Sequence, residues 1–284
     1  MKELENSELQ SSPFRGRGGL GFEAIILAGG LGTRLRSVVS DVPKCMASVN
    51  GIPFINFIIT YLKKEGVERF IFSLGYKSEI VIEYVNKTFA ELNIEYVIED
   101  APLGTGGAIK SACSKAISKD VLILNGDTLF NIDIKDFSTF HAGNKADFTV
   151  ALKEKRNFSR YGSVEIDEDR AIKTFNEKIY CEKGFINGGI YFLKVDNFMN
   201  EDLPDSFSFE KEFLEKSIGK KRFYGLECEY YFIDIGIPED YDRFISDFNL
   251  ILDKSKYHKQ DAGGYMNDFV GDFFLDGLSS LLTD

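Results

Sequence analysis

The segment that most constrains this chain is Ala24-Ile25-Ile26-Leu27-Ala28-Gly29-Gly30-Leu31-Gly32-Thr33-Arg34-Leu35, an apolar run that leads directly into a turn with three glycines and an arginine. A short unbroken apolar run bounded by a turn reads as a buried strand. Glycines at its end let backbone N–H groups approach phosphate oxygens closely, and Arg34 adds a charge-assisted donor. A chain containing such a unit is expected to form an α/β sheet and to bind a phosphorylated ligand at the carboxyl edge of that sheet.

Two other phosphate motifs compete with this reading and fail. Gly16 to Gly21 spells G-x-G-x-x-G, but it precedes the strand, whereas a dinucleotide fingerprint must follow one. No G-x-x-x-x-G-K-[ST] occurs anywhere, which leaves a P-loop kinase or GTPase unsupported.

Apolar periodicity predicts strand Ala24 to Ala28, helix Phe54 to Glu65, strand Arg69 to Leu74, helix Ser78 to Leu92, strand Ile94 to Ile98, helix Gly106 to Ile117 and strand Asp120 to Leu124. Strand–helix–strand repetition implies right-handed crossovers and a largely parallel sheet with helices on both faces. From Phe148 the rhythm changes: Phe148 to Leu152, Gly162 to Ile166, Ala171 to Asn176 and Ile186 to Leu193 read as closely spaced strands, mixed or antiparallel. A helix Phe209 to Ser217, a strand Tyr230 to Ile235 and a helix Pro238 to Ile251, with proline at its first position, close the pattern.

The expected division is a flexible arm over 1–23, one domain over 24–253 and a tail over 254–284. The Asp268 to Leu282 part of the tail reads as a short amphipathic helix, a packing or oligomer-contact element that makes a homo-oligomer possible. At 284 residues, 44% apolar and 28% charged, the chain is long enough for one large α/β domain or two small ones. Its apolar runs have strand length and fall short of the ~20 residues of a membrane span. Residues 1–23 hold no apolar stretch that could serve a secretory signal, so a cytoplasmic location is expected. Cys45, Cys113, Cys181 and Cys228 are far apart, without zinc or redox spacing, and read as reduced thiols; Cys45, beside Lys44, reads as a small buried residue before it reads as a reactive one. A net charge of −11 argues against general binding to nucleic acid or anionic membranes, so an anionic ligand needs a local cationic pocket.

Four further features could carry chemistry. Val42-Pro43-Lys44 presents a lysine ten residues after Arg34, and Ala101 to Ala108 (APLGTGGA) lies between a strand and a helix, where main-chain groups could read a base edge. Val121 to Asn125 ends in Gly126-Asp127-Thr128; a strand-end carboxylate suits Mg²⁺ when phosphates share the site, and would equally serve as a turn cap. Asp234 interrupts the apolar Phe232-Ile233-Asp234-Ile235, and a lone buried carboxylate is costly, which favours pairing or metal binding. His141 and His258 lie outside every motif.

Taken in order, L-A-G-G-x-G-T-R-L, P-K, P-L-G-T-G-G-A, N-G-D, Glu177-Lys178, N-G-G-I-Y and F-I-D-I-G resemble the sugar-1-phosphate nucleotidyltransferase family, from Ala24 to about Ile251. The resemblance implies a Rossmann-like, GT-A-like α/β fold: a mixed, mainly parallel sheet flanked by helices, with a strand-rich sugar-binding half and a cleft between the halves. It implies that Gly29, Gly30, Gly32 and Thr33 wrap a nucleoside triphosphate and that Arg34 and Lys44 hold its β and γ phosphates. Leu27, Ala28 and the loop Gly104, Thr105, Gly106 and Gly107 would recognise base and ribose. Asp127 and Asp234 would bind Mg²⁺, while Tyr161, Gly162, Glu177, Lys178, Asn187 and Gly188 would contact the sugar 1-phosphate. Ile179 stands where the family commonly has proline after Glu-Lys.

Within the family, T-G-G-A after P-L-G, F-S-F-E (Phe207 to Glu210) and Y-F-I-D-I-G-I-P-E-D-Y look most like the D-glycero-α-D-manno-heptose 1-phosphate guanylyltransferases, enzymes of bacterial surface-glycan synthesis that use GTP. Mannose-1-phosphate guanylyltransferases and enzymes that join UTP or dTTP to hexose 1-phosphates are the alternatives. A GT-A glycosyltransferase would show D-x-D, which Asp127-Thr128-Leu129 lacks; a non-catalytic nucleotide-sugar sensor would have lost Arg34, Lys44 or an aspartate, and all are present.

Overall fold

The structure is a computed structural model that describes residues 21–30, 35, 39, 41–176 and 178–257, without side chains for 251–257. Strands β1 (Phe22–Ala28), β2 (Ser48–Val49), β3 (Ile52–Pro53), β4 (Val67–Leu74), β5 (Asn93–Ile98), β6 (Asp120–Asn125), β7 (Thr128–Phe130), β8 (Phe148–Phe158), β9 (Ser163–Ile166), β10 (Ile172–Asn176), β11 (Cys181–Lys194), β12 (Phe223–Glu227) and β13 (Phe232–Asp234) follow one another along the chain. They are joined by helices α1 (Phe54–Lys64), α2 (Ser78–Thr88), α3 (Gly104–Cys113), α4 (Ile134–Gly143), α5 (Val195–Met199), a π-helical segment Phe209–Leu214 that runs into α6 (Glu215–Ser217), and α7 (Pro238–Tyr257).

The apolar run of β1 lies inside the sheet because both its edges are paired, in parallel, with β4 and β6. β5 extends the parallel wing beyond β4. On the far side β11 pairs antiparallel with β6 and β8, and β12 joins β8 in parallel, so the sheet is mixed as expected. The second strand-rich half shares this sheet: the β9–β10 hairpin attaches to the first part of β11, beyond the point where β6 ends.

Alternation along each central strand divides the core. Ala24, Ile26, Phe70, Phe72, Leu122 and Leu124 face one layer, which contains α1, α2, α4 and α7 residues. Ile25, Ile71, Val121 and Ile123 face the other, with α3, α5 and the Phe209–Leu214 segment. Side chains that alternate between two covered faces explain why these strands read as continuous apolar runs.

Several elements depart from the sequence expectation. β8 continues past Leu152 to Phe158, and β11 begins at Cys181, well before Ile186. The charged stretch Lys153 to Arg156 looks like loop in sequence, but cross-strand pairing to Lys183–Ile186 holds it as strand. Helix α2 ends at Thr88 because Phe89 leaves helical backbone (φ −128) and turns into the core, 6% exposed. Helix α4 was not anticipated; its start is fixed by Asp133, whose carboxylate accepts the Asp136 N–H at 2.8 Å. Helix α7 runs on to Tyr257; residues 258–284 of the expected tail lie outside the described residues, as do residues 1–20 of the arm expected over 1–23.

Helix α3 is crossed at close range by the segment that leads to Phe207. A Cβ on Gly106 would lie 2.1 Å from the Phe207 ring, and one on Gly107 would lie 2.2 Å from the Asp205 carbonyl. Gly106→Ala is therefore expected to cost about 1–3 kcal/mol through overpacking. Thermal unfolding checks this; a melting temperature equal to that of the parent would refute the contact.

Candidate active site

A cleft of about 1220 Å³ opens at the carboxyl ends of β1, β4, β5 and β6 and reaches across to the β9–β11 region. Carboxyl ends of parallel strands collect ligand sites because the strand-to-helix loops and helix N-termini converge there. Its lining includes Leu27, Ala28, Gly29, Gly30, Gly104 and Thr105 from the first half of the chain, and Tyr161, Gly162, Lys178, Asn187 and Gly188 from the second. Lys44, Asp127 and Asp234 line it as well.

These last three side chains are brought together from distant points of the chain. Pro43 ends an extended stretch and Lys44 opens a single 3₁₀ turn, closed by Met46 N–H donating to the Pro43 carbonyl at 2.8 Å. Gly126 N–H donates to the Leu27 carbonyl at 2.8 Å, which pins the turn after β6 against the end of β1 and sets Asp127 at the cleft. β13 pairs antiparallel with β7, with Asp234 opposite Thr128, and Ile235 N–H donates to the Asp127 carbonyl at 3.0 Å. The Lys44 ammonium is hydrogen-bonded to the Asp127 carboxylate and lies 3.8 Å from that of Asp234.

The two carboxylates share one cation. Burial and, next, the neighbouring Asp127 charge raise the Asp234 carboxyl above the usual range, against the pull of Lys44. Such a pair is short of positive charge and suits a hard divalent cation, which binds carboxylate oxygen. Among the described residues no group of three or more His, Cys, Asp or Glu side chains forms a metal cage. A cation here would be held by two carboxylates and completed by ligand phosphates and water, the mode of a phosphate-associated metal.

The N-G-G segment forms a bulge in β11. Between Asn187 and Tyr191 the pairing with β8 slips, and Gly189 takes φ +73. A Cβ on Gly188 would lie 2.5 Å from the Phe130 ring, so the bulge packs directly on β7, behind Asp127. Asn187 accepts the Gly189 N–H at 2.9 Å and donates to the Tyr191 hydroxyl at 2.9 Å, which fixes its side chain at the cleft wall.

The remaining expected residues separate into three groups. Gly106 and Gly107 are buried under the Phe207 crossing and do not line the cleft. Thr105 lines it, but its hydroxyl donates to Glu210 at 2.9 Å and accepts the Phe209 N–H at 2.9 Å, which braces the loop against the π-helical segment. Gly32, Thr33, Arg34 and Glu177 lie outside the described residues, as does His258. His141 is 1% exposed and bonded to the Thr149 hydroxyl at 2.7 Å, inside the core. The Cys45 thiol is pushed up to about 12 by burial and the Asp127 charge, which makes it inert.

Sequence reading missed two cleft residues with chemistry. Glu99 follows β5 directly; its carboxylate accepts from Leu103 N–H at 3.1 Å and from the Ser73 hydroxyl at 3.4 Å, beside the Gly29 backbone. Arg160 precedes Tyr161 and lines the cleft beside it. Neither carries a motif signal; only adjacency to A-P-L-G-T-G-G-A and to Tyr161-Gly162 pointed their way.

The chain is similar to known proteins in sequence and in fold. The nucleotidyl transferase family matches residues 23–249. The chain is 49% identical over 219 residues to a D-glycero-alpha-D-manno-heptose 1-phosphate guanylyltransferase of Aneurinibacillus thermoaerophilus, covering 77% of this chain and 95% of the relative. It is 45% identical over 223 residues to a protein of the same description from Campylobacter jejuni, covering 78% and 98%. Its fold superposes on a crystal structure of HddC from Yersinia pseudotuberculosis complexed with GMP-PN with a TM-score of 0.72 and 39% identity, covering 80% of this chain and 99% of that one. Among the described residues no helix is long and apolar enough to cross a membrane.

Proposed function

The chain belongs to the nucleotidyl transferase family, and we propose that it joins GTP to D-glycero-α-D-manno-heptose 1-phosphate, giving a GDP-sugar and pyrophosphate. The class of reaction follows from family membership and from two relatives at 45% and 49% identity over nearly their whole length. The observation that carries the choice of base is Glu99. Guanine alone among the common bases presents two adjacent donors, N1–H and N2–H, on its pairing edge, and a carboxylate has acceptor capacity for both beyond its bonds to Leu103 and Ser73. Uracil and thymine place carbonyl oxygens beside their single N–H, which a carboxylate repels. The sugar is assigned from the relatives alone.

The reaction is an in-line displacement. An oxygen of the sugar 1-phosphate attacks the α-phosphorus, the bond to the bridging oxygen breaks, and pyrophosphate leaves with that electron pair. A phosphate dianion is nucleophilic at neutral pH, so no general base is needed, and the one described histidine is buried in the core. Gly29 and Gly30, with Arg34 beyond them, cradle the triphosphate through backbone and guanidinium donors. Lys44 neutralises charge on the phosphates from between the two carboxylates, and Lys178 does so from the sugar side. Asp127 and Asp234 would hold Mg²⁺, which when bound would supply charge neutralisation for the phosphates. A cytoplasmic location fits the proposed substrates, nucleotides and sugar phosphates.

A pyrophosphate-release assay that crosses GTP, UTP, CTP, dTTP and ATP with heptose, mannose and glucose 1-phosphates tests the reading. GTP with the heptose substrate is expected to be fastest. No release from any pair would overturn the enzyme reading, whereas a faster UTP pair would overturn only the choice of base.

A further inference from the structure

In a chain of net charge −11, three cations, Lys155, Arg160 and Arg243, gather around the cleft residue Tyr161. The Lys155 ammonium lies 4.6 Å from the centre of the Tyr161 ring and 5.2 Å from that of Phe232, and the Arg160 guanidinium lies 4.7 Å from the Tyr161 ring centre. Both rings belong to the cleft wall. The carboxylate that answers these cations is Asp240, in the first turn of α7, 7% exposed. It pairs with Arg160, and with Arg243 at 3.5 Å. Among the described residues Lys155 has no carboxylate or carbonyl partner; burial and the charges of Arg160 and Arg243 press its ammonium down to about 8, against the pull of Asp234. Three partly buried cations answered by one paired carboxylate are a cost to the fold unless a ligand supplies further negative charge.

Arg160 is the member of this group that reaches the cleft. Both of its hydrogen bonds leave from Nη2, one to the Tyr161 hydroxyl and one to Asp240. The donors on Nε and Nη1 have no acceptor among the described residues. The Tyr161 hydroxyl, by accepting from Arg160, keeps its own proton free to donate. A planar, permanently charged fork with free N–H groups suits phosphoryl oxygens in particular.

We propose that Arg160 binds the phosphoryl group of the sugar 1-phosphate and that Asp240 is the positioning residue that aims its guanidinium. The proposal rests on the sugar-phosphate reading of this half of the cleft and adds to it a cation supplied by the loop between β8 and β9. Asp240 lies too deep to serve as a ligand contact; it fixes one nitrogen and leaves the others for substrate. Lys155 sharpens the effect, because its charge on the same ring raises the local demand for an anion.

The test uses the full chain with whichever nucleotide and sugar 1-phosphate the crossed assay selects. Arg160→Met is expected to raise KM for the sugar 1-phosphate about tenfold or more, the loss of a charge-assisted bond, with KM for the nucleotide unchanged within about twofold. Arg160→Lys, which keeps charge but not the fork, recovers part of that loss. Asp240→Asn raises the same KM by a smaller factor, and thermal unfolding of each variant separates a misaimed guanidinium from a misfolded chain. An unchanged sugar-phosphate KM in a folded Arg160→Met overturns the proposal, as does a rise confined to the nucleotide KM. An unchanged KM in folded Asp240→Asn removes the positioning role. A parent chain that turns over no pair removes the functional premise itself, a result distinct from an active parent with an indifferent Arg160 variant.

Discussion

Asp127→Asn is expected to lower kcat/KM by about 10³-fold or more, close to 4 kcal/mol of transition-state stabilisation. The change is nearly isosteric, so the turn that carries it keeps its backbone bonds: Gly126 N–H to Leu27, and Ile235 N–H to the Asp127 carbonyl. What disappears is one negative charge at the point where Lys44 and Asp234 meet. On the proposed reading two carboxylates would be the protein's share of a divalent cation site, and halving their charge would weaken cation binding while Lys44 competes for the remaining carboxylate. The measurement is pyrophosphate release at rising Mg²⁺, together with a thermal melt. Near-parental turnover at saturating metal would remove Asp127 from the metal site. Relief of the like-charge contact should also bring the Asp234 carboxyl back toward its ordinary range, since Asp127 is the leading charge that raises it.

Glu99→Gln is expected to reduce the preference for GTP over UTP by about 100-fold, roughly 2.7 kcal/mol. Glutamine preserves length and shape, so the bond from Leu103 N–H can persist through its carbonyl oxygen. The other position becomes an NH₂ group, a donor facing the two donors of guanine. A site built to accept rejects a base by leaving buried polar groups unpaired, and that penalty exceeds what a change in shape alone produces. Competition between GTP and UTP in one reaction reads the ratio directly. A ratio equal to that of the parent would mean that another group reads the base. Because Glu99 shares no hydrogen bond or ion pair with Lys44, Asp127 or Asp234, the variant is expected to keep the parental dependence on metal concentration.

The local chemistry of this protein was legible in its sequence. The run Ala24 to Ala28 ending in glycines identified the central strand, since only a strand covered on both faces can be apolar at every position. Pro43 before Lys44, Asp127 after an apolar strand and Asp234 inside another were each marked by a polar residue in a context where it is costly, and costly residues announce function. The glycines of N-G-G were visible, while the reason for them, a bulge against Phe130, was not.

Only the tertiary structure decided which of these signals share a site. Lys44, Asp127 and Asp234 are separated by 83 and 107 positions in sequence, and they converge because β1, β6 and the β7–β13 ladder end at one place. The same fold withdrew Gly106 and Gly107 from the cleft, although they stand in the same motif as Gly104, because helix α3 turns them beneath Phe207. It also brought in Glu99, Arg160 and Asp240, whose charged side chains are indistinguishable in sequence from the solvated majority. Sequence records which residues are unusual for their local context; an ordinary residue becomes functional only through what the fold sets beside it. For that reason the candidate phosphate-binding residues could be read along the chain, and the groups proposed to meet the base and the sugar phosphate, Glu99 and Arg160, could not.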